Sequence, residues 1–176
     1  MEKIVYYTDG SCNGNPGPGG FAYIRLGKQI HEDCGEYIAE LILLENHVEF
    51  STDTTNNREE LKAIIAVLKN ITTIKGKYEF IIYSDSAYAV NTCNTWIWNW
   101  QKNNWYRTKN SQVKNLDLIL ELYDLLQKTK VTIKKCDGHS GVLENELCDA
   151  LASNNSIKFN RLIQQNKIKI DFNLKG

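Results

Sequence analysis

Hydrophobic positions along the chain follow two different periods, and each period predicts one kind of element. Short runs rich in Ile, Val, Tyr and Phe predict four strands, at residues 3–8, 21–26, 78–83 and 131–136. A further strand is expected between residues 29 and 50. Within that stretch, residues 41–44 fit a strand or a helix equally well, so the pattern alone leaves the choice open.

A helical period begins at residue 58. Leu61, Ile64, Ile65 and Leu68 have the i, i+3, i+4, i+7 spacing of a helix that packs with one face. Similar patterns predict helices at residues 86–94, 116–126 and 144–154. Early strands followed by alternating helices and strands predict an α/β fold, a mixed sheet flanked by helices. Its parallel strands require right-handed helical crossovers.

Composition narrows the class of protein. The chain has 176 residues, of which 42% are hydrophobic and 24% charged, as expected of one globular domain. No apolar run is long enough for a transmembrane helix, and no signal peptide is expected at the start. The five cysteines contain no C-x-x-C pair, which favours reduced thiols and a cytoplasmic location.

The formal net charge is zero, so any nucleic-acid binding must come from a local patch. Residues 10–20 contain five glycines and both prolines, which predicts a tight loop.

Three carboxylates fall at the ends of predicted core elements. Asp9 and Asp85 each follow a strand, and if those strands are parallel neighbours about 4.8 Å apart, the two side chains can share a cation. At 100° per residue, Glu60 points about 90° from the buried stripe of its helix and can reach the sheet edge. Glu59 points about 170° away and is expected to face water. Oxygen ligands favour Mg²⁺ or Mn²⁺. Any one carboxylate alone is better explained by a solvated or capping role, and it is the three together that make a site an equal alternative.

Two other residues give weaker signals. His139 lies in a loop between the last predicted strand and helix, where it is either an exposed residue or a proton carrier beside a metal site. Asp149 projects nearly opposite to the apolar stripe of Leu147, Ala150 and Leu151. Periodicity alone therefore predicts that Asp149 is exposed.

Several motifs, in this order, resemble those of type 1 ribonucleases H. They are TDGSCNGNPGPGG (8–20), TTNNREEL (54–61), IIYSDS (81–86), the tryptophan-rich WIWNWQKNNW (96–105) with VKNLDL (113–118), and GHSGVLENELCDALA (138–152). The resemblance spans residues 3–152. It implies a ribonuclease H-like α/β fold with a five-stranded mixed sheet, order 3-2-1-4-5, whose second strand is antiparallel to the rest. It also implies a catalytic domain at residues 1–155, with no separate hybrid-binding domain before it, and a C-terminal extension of unknown structure at 156–176.

The resemblance also implies the activity. The expected enzyme is a monomeric endonuclease, without membrane association, that hydrolyses the RNA strand of RNA/DNA hybrids to 5′-phosphate and 3′-hydroxyl products. Its cofactor would be a pair of Mg²⁺ ions, with Mn²⁺ as an alternative. The family's catalytic residues fall on Asp9, Glu60, Asp85 and Asp149 as metal ligands, with His139 as the auxiliary residue.

Substrate contacts are likewise implied by the resemblance. Contacts to the RNA strand fall on small or polar residues: Gly10, Ser11, Cys12, Asn15, Asn56 and Asn57. Thr55 and Asn115 would hold a DNA phosphate, while Tyr88 and Trp96 would flank the DNA sugars. Turn chemistry explains many of the Gly and Asn residues equally well, and core packing is expected for at least two of the four tryptophans. The positive charge of this region comes from Lys102, Arg107, Lys109 and Lys114.

Two other functions remain open at this stage. One is a hybrid-binding protein without catalysis, which the complete carboxylate set argues against. The other is a different reaction on the same fold, as in related integrases, resolvases and exonucleases, which the glycine-rich and tryptophan-rich segments argue against. Residues 29–53 form a longer segment than is usual in the family, and the sequence assigns no role to it.

Overall fold

A computed structural model describes residues 1–138 and 141–171, which contain eight strands and six helices. The strands are β1 (Glu2–Cys12), β2 (Gly17–Asp33), β3 (Glu36–Thr54), β4 (Tyr78–Ser84), β5 (Tyr106–Thr108), β6 (Ser111–Gln112), β7 (Val131–Lys135) and β8 (Lys169–Ile170). The helices are α1 (Asn56–Ile71), α2 (Ala87–Asn91), α3 (Ile97–Lys102), α4 (Leu116–Lys128), α5 (Leu143–Ala152) and α6 (Ser156–Gln165). A π-helical turn, Thr92–Trp96, joins α2 to α3.

The main sheet has the order β7-β4-β1-β2-β3-β8, and β5 pairs with β6 in a separate small sheet. β1, β4 and β7 are mutually parallel, whereas β2 is antiparallel to both β1 and β3. The α/β class, the predicted order of five strands and the antiparallel second strand are therefore confirmed. The sixth strand, β8, was not predicted; it pairs in parallel with β3 through Ile42 and Leu43.

Helices cover both faces of the sheet, so the fold has two hydrophobic cores. The larger core packs α1 and α4 on one face, and its fully buried side chains include Tyr6, Leu61 and Ile82. The smaller core packs α5 and α6 on the other face, around Ile24 and Leu147. Residues 156–170 thus belong to the packed structure, and the predicted division after residue 155 stays a prediction.

The glycine-rich segment 10–20 is mostly strand, so the prediction of a tight loop over its whole length is wrong. Only residues 13–16 connect β1 to β2. A Cβ atom on Gly17 would lie 2.1 Å from the carbonyl oxygen of Asn13, and one on Gly19 would lie 2.4 Å from that of Ser11. These glycines allow the close approach of backbone to backbone rather than forming a turn.

Residues 29–53 form the end of β2, the hairpin turn and nearly all of β3. The ambiguous stretch 41–44 is strand, and the hairpin turns at Cys34 and Gly35, both of which have positive φ. All five cysteines are free thiols in the structure, and two of them, Cys93 and Cys148, are buried. None of the helices in the described ranges combines the length and the hydropathy that a bilayer span requires.

Candidate active site

Strand register brings the first two predicted ligands together. β1 and β4 are parallel neighbours in which Thr8 pairs with Ser84, so Asp9 and Asp85 are the residues that come directly after this pair. Asp85 follows β4, as predicted, whereas β1 continues to Cys12, so the prediction that Asp9 follows a strand is wrong. Asp9 is buried, and Asp85 is half-buried. Both carboxylates therefore lie at the carboxyl edge of the sheet, where sites in α/β folds form.

Glu60 reaches the same edge from helix α1. Thr55 caps this helix, because its hydroxyl oxygen accepts a hydrogen bond from the backbone N–H of Arg58 at 3.3 Å. Glu60 is buried, and its carboxylate meets those of Asp9 and Asp85: one ligand atom from each residue lies within 4.8 Å of the others. The structure thus places together the three carboxylates that were selected from the sequence, while their catalytic role stays a prediction.

Glu59 does not face water, so that prediction is wrong. Its side chain is fully buried, and Oε1 accepts hydrogen bonds from Thr54 Oγ1 and Lys62 Nζ, both at 2.7 Å. The cause is close packing: a Cβ atom on Gly10 would lie 2.5 Å from the backbone carbon of Glu59. Because the first turn of α1 lies directly against β1, the end of β3 covers the helix face that a wheel treats as solvent-exposed.

Asp149 is only partly exposed, in contrast to the exposure predicted from periodicity. It lines a cleft of about 300 Å³ together with the three clustered carboxylates, Gly10, Ser11, Asn56 and Ser86. Its Oδ2 atom accepts a hydrogen bond from Lys158 Nζ at 2.7 Å. The same ammonium is 2.7 Å from Oε2 of Glu146. All four acidic residues of the predicted catalytic set therefore share one cleft.

Burial and the repulsion of neighbouring charges make Asp9 and Glu60 hard to ionise. Loss of water around Asp9, with repulsion from Asp85 and Asp149, raises the pKa of the Asp9 carboxyl to about 8. Burial and the charges of Asp9 and Asp85 likewise hold the pKa of Glu60 well above its usual range. A bound divalent cation would remove this penalty, because it favours the ionised form of every carboxylate it contacts.

The carboxylates of Asp9, Glu60 and Asp85 are suited to bind a divalent cation. Oε2 of Glu60 is buried and has no hydrogen-bond partner among the residues that the structure describes. A buried carboxylate oxygen without a partner is costly, and ligation would satisfy it. The donors in the cluster are all carboxylate oxygens, the ligands preferred by Mg²⁺ and Mn²⁺.

The raised pKa values predict how the stability of the metal-free protein depends on pH. Because the folded protein retains the Asp9 proton up to about pH 8, whereas the unfolded chain releases it near pH 4, folding becomes less favourable as pH rises between these values. In chelator, the free energy of unfolding by urea should fall by roughly 2 kcal/mol from pH 5.5 to pH 8. Adding Mg²⁺ at pH 8 should restore it. A flat profile in chelator would contradict the repulsion described here.

The residues expected to contact RNA lie around this cleft or along its connecting loop. Ser11 and Asn56 line the cleft, and Asn57 is exposed in the first turn of α1. Asn15 Oδ1 accepts a hydrogen bond from the backbone N–H of Asn56 at 3.1 Å, and Cys12 Sγ donates to the carbonyl oxygen of Thr54 at 3.3 Å. Asn15 and Cys12 thus connect the β1–β2 loop to the start of α1, which is a structural role at minimum.

The residues expected to contact DNA form a second cluster. Tyr88 lies 6.1 Å from Trp96 between ring centroids, and its hydroxyl oxygen accepts a hydrogen bond from Asn115 Nδ2 at 3.2 Å. Trp96 is 38% exposed, which leaves part of its ring available to a ligand. Trp100 and Trp105 are instead half-buried against the larger core, in agreement with the packing role expected for two tryptophans.

Two further residues, His139 and Lys158, concern the acidic site. His139 lies outside the described residues, so its auxiliary role stays a prediction. Lys158 was not selected from the sequence. Its helix begins after the turn that follows α5, so no periodic pattern linked it to Asp149. Partial burial lowers the pKa of Lys158, but hydrogen bonds to Asp149 and Glu146 outweigh this effect and raise it overall.

Comparisons with known proteins agree with this geometry. The family model described as RNase H matches residues 1–157. The chain is 44% identical over 157 residues to a ribonuclease H of Syntrophomonas wolfei subsp. wolfei. This alignment covers 88% of this chain and 96% of the relative. It is 41% identical over 155 residues to the ribonuclease HI of Pasteurella multocida, covering 86% and 88% of the two chains.

Solved structures give the same result at lower identity. The crystal structure of LC9-RNase H1, a type 1 RNase H with the type 2 active-site motif, is 25% identical with a TM-score of 0.66. The match covers 86% of this chain and 71% of that one. The structure of LC11-RNase H1 in complex with RNA/DNA hybrid has a TM-score of 0.56 at 20% identity, and covers 85% of this chain and 94% of that one. This second likeness concerns the fold alone.

Proposed function

Because the chain belongs to the ribonuclease H family, we propose that it is an endonuclease that hydrolyses the RNA strand of RNA/DNA hybrids. The observation that carries the proposal is the meeting of Asp9, Glu60 and Asp85 at one edge of the sheet, with Asp149 in the same cleft. A hybrid-binding protein without catalysis has no use for buried carboxylates that repel one another. Catalysis would explain why these unfavourable carboxylates are present, since it requires a metal cation to be held at the reacting phosphate.

Asp9, Glu60, Asp85 and Asp149 would hold a pair of Mg²⁺ ions, with Mn²⁺ as an alternative. The bound ions would activate a water molecule and stabilise the departing 3′ oxygen, which gives 5′-phosphate and 3′-hydroxyl products. The protein contributes rigid placement, because Asp9 is fixed by strand register and Glu60 by the close packing of α1 on Gly10. Neither carboxylate has to reorganise when substrate binds.

His139 is proposed as the auxiliary residue that moves protons or assists product release. Its neighbour Gly138 supports this role, because a Cβ atom there would lie only 2.9 Å from Asp85 Oδ2. The loop that carries His139 therefore starts in contact with the acidic cluster. An imidazole changes charge near neutral pH, which suits proton transfer in this position.

The hybrid would be recognised through the 2′-hydroxyls of its RNA strand. These hydroxyls line the wide minor groove and distinguish RNA from DNA. Ser11 and Asn56 border the acidic cleft, and Gly10, Cys12, Asn15 and Asn57 lie beside them, so small polar groups and backbone amides surround the expected position of the RNA strand.

The DNA strand would lie along the cluster of Tyr88, Trp96 and Asn115. The N-terminus of α1, with its cap Thr55, is suited to a phosphate because its backbone N–H groups and the helix dipole attract anions. Local positive charge comes from Lys102, Arg107, Lys109 and Lys114, which are all exposed. We propose that the enzyme acts as a monomer in the cytoplasm, where its five thiols stay reduced.

The test compares three labelled substrates of the same sequence: RNA/DNA hybrid, duplex RNA and duplex DNA, each with Mg²⁺. The RNA strand of the hybrid should be cut at least about a hundredfold faster than either duplex. Duplex DNA lacks the 2′-hydroxyls that the site would bind, and a site that binds a hydroxyl group rejects analogues without it. Duplex RNA would place ribose where the cluster of Tyr88 and Trp96 is expected to accept deoxyribose. The Asp85→Asn variant should bind the hybrid but not cut it. Failure to cut the hybrid, equal cutting of duplex DNA, or wild-type activity in Asp85→Asn would contradict the proposal.

A further inference from the structure

Lys158 places a positive charge against one of the acidic residues that line the cleft. Its Nζ atom lies 2.7 Å from Asp149 Oδ2 and 2.7 Å from Glu146 Oε2, so one ammonium joins two carboxylates of helix α5. The side chain is only 20% exposed. Residue 158 is also the first one beyond the segment matched by the family model. One carboxylate of the acidic cleft, Asp149, is therefore paired with a cation that lies outside the matched segment.

The fold holds this ammonium in place. Asn155 caps α6 by accepting a hydrogen bond from the backbone N–H of Lys158 at 2.9 Å. Phe159, Leu162 and Ile163, on the same helix, pack against the smaller hydrophobic core. Because α6 is anchored on both sides of Lys158, the ion pair is part of the packed structure and not a chance encounter between surface side chains.

A divalent cation that binds Asp149 must either break the ion pair between Asp149 and Lys158 or bind next to it. Either it displaces the ammonium from Asp149 Oδ2, or it binds beside a positive charge and is repelled by it. The other three carboxylates contact no such ammonium in the described part of the chain, so a cation held by Asp9, Glu60 and Asp85 experiences a smaller penalty. The two halves of the cleft should therefore differ in their affinity for cations.

We propose that Lys158 is a positioning residue that competes with divalent cations for Asp149, so that the free enzyme binds one ion well and a second ion only weakly. This inference rests on the proposed function. The negative charge of a substrate phosphate would favour exchange of the singly charged ammonium for a doubly charged ion. Full loading of the site would then be coupled to the arrival of the hybrid.

The experiment is a calorimetric titration of chelator-treated protein with Mn²⁺ in the absence of nucleic acid. In Lys158→Met the second Mn²⁺ should bind about tenfold more tightly than in wild type, because a charge-assisted hydrogen bond no longer has to be broken. The first Mn²⁺ should bind within about twofold of wild type. Lys158→Gln, which keeps a hydrogen-bond donor without charge, should behave like Lys158→Met, whereas Lys158→Arg should retain the weak second site.

The matched control is Lys128→Met, which removes the same charge from an exposed pair with Asp124 on α4. It should leave both affinities unchanged, and thermal unfolding should show that every variant is folded. A second-ion affinity that is unchanged or lower in both Lys158→Met and Lys158→Gln would overturn the role of Lys158. This outcome is distinguishable from failure of the proposed function, because no cleavage is measured in the titration, whereas that failure would appear as wild-type protein that does not cut the RNA/DNA hybrid.

Discussion

The Asp9→Asn variant is expected to cut RNA/DNA hybrids at least about a thousandfold more slowly than wild type. Metal ions stabilise transition-state charge by several kcal/mol, and each 1.4 kcal/mol corresponds to about tenfold in rate. Asp9 lies at the centre of the site, because its pKa responds to both Asp85 and Asp149. An amide keeps the shape of the side chain but lacks the charge that holds the cation. The measurement is the single-turnover cleavage rate at saturating Mg²⁺.

The same variant should be at least as stable as wild type in chelator at pH 8. Removing one of several buried, repelling carboxylates relieves the cost of ionising Asp9 in a buried position. Loss of activity together with gain of stability distinguishes a metal ligand from a structural residue. Asp33→Asn, the same substitution at an exposed position at the end of β2, is the control and should change neither property. Cleavage by Asp9→Asn within about tenfold of wild type would contradict this role.

The Gly10→Ala variant is expected to lose about 3 kcal/mol of stability, because the added methyl group has no space. Its Cβ atom would lie 2.3 Å from the backbone nitrogen of Glu60 and 2.5 Å from the backbone carbon of Glu59. Backbone cannot rotate away as a flexible side chain can, so α1 must move away from β1. For a chain of this length the melting temperature should fall by roughly 6–12 °C.

Hybrid cleavage by Gly10→Ala should also decrease at temperatures where the variant is still folded, since moving α1 moves Glu60 away from Asp9. The control is Gly35→Ala at the hairpin tip, where an added Cβ atom meets nothing within 4 Å. Gly35 has φ of 83°, so alanine there should cost only about 1 kcal/mol and leave cleavage unchanged. If Gly10→Ala were as stable and active as wild type, the close packing of α1 on β1 would be refuted.

The sequence was sufficient to predict the positions of Asp9, Asp85 and Glu60, because strand ends and helix faces are properties of local periodicity. Asp9 and Asp85 needed only the assumption that β1 and β4 are parallel neighbours, which the register confirms. Glu59 could not be predicted in the same way. A helical wheel assumes that the helix packs through the side chains of one face only. At Gly10, however, the backbone of the first turn of α1 packs directly on the backbone of β1.

The positions of Asp149 and Lys158 could not be predicted from the periodicity of the sequence. Asp149 is opposite the apolar stripe of α5, and its position beside the cleft depends on how α5 crosses the sheet, which is a tertiary property. Lys158 belongs to another helix, whose placement depends on packing of Phe159 and Leu162 on the smaller core. Strand β8 is only two residues long and has no detectable pattern of its own, so the sixth strand could not be predicted.

The most direct measurement is anomalous diffraction from crystals of the protein soaked in Mn²⁺. We expect a Mn²⁺ ion at about 2.1–2.3 Å from carboxylate oxygens of Asp9, Glu60 and Asp85, the distance range of oxygen ligands on small divalent cations. Crystals that diffract well and show no anomalous peak between these three side chains, or show the carboxylates turned away from one another, would contradict it.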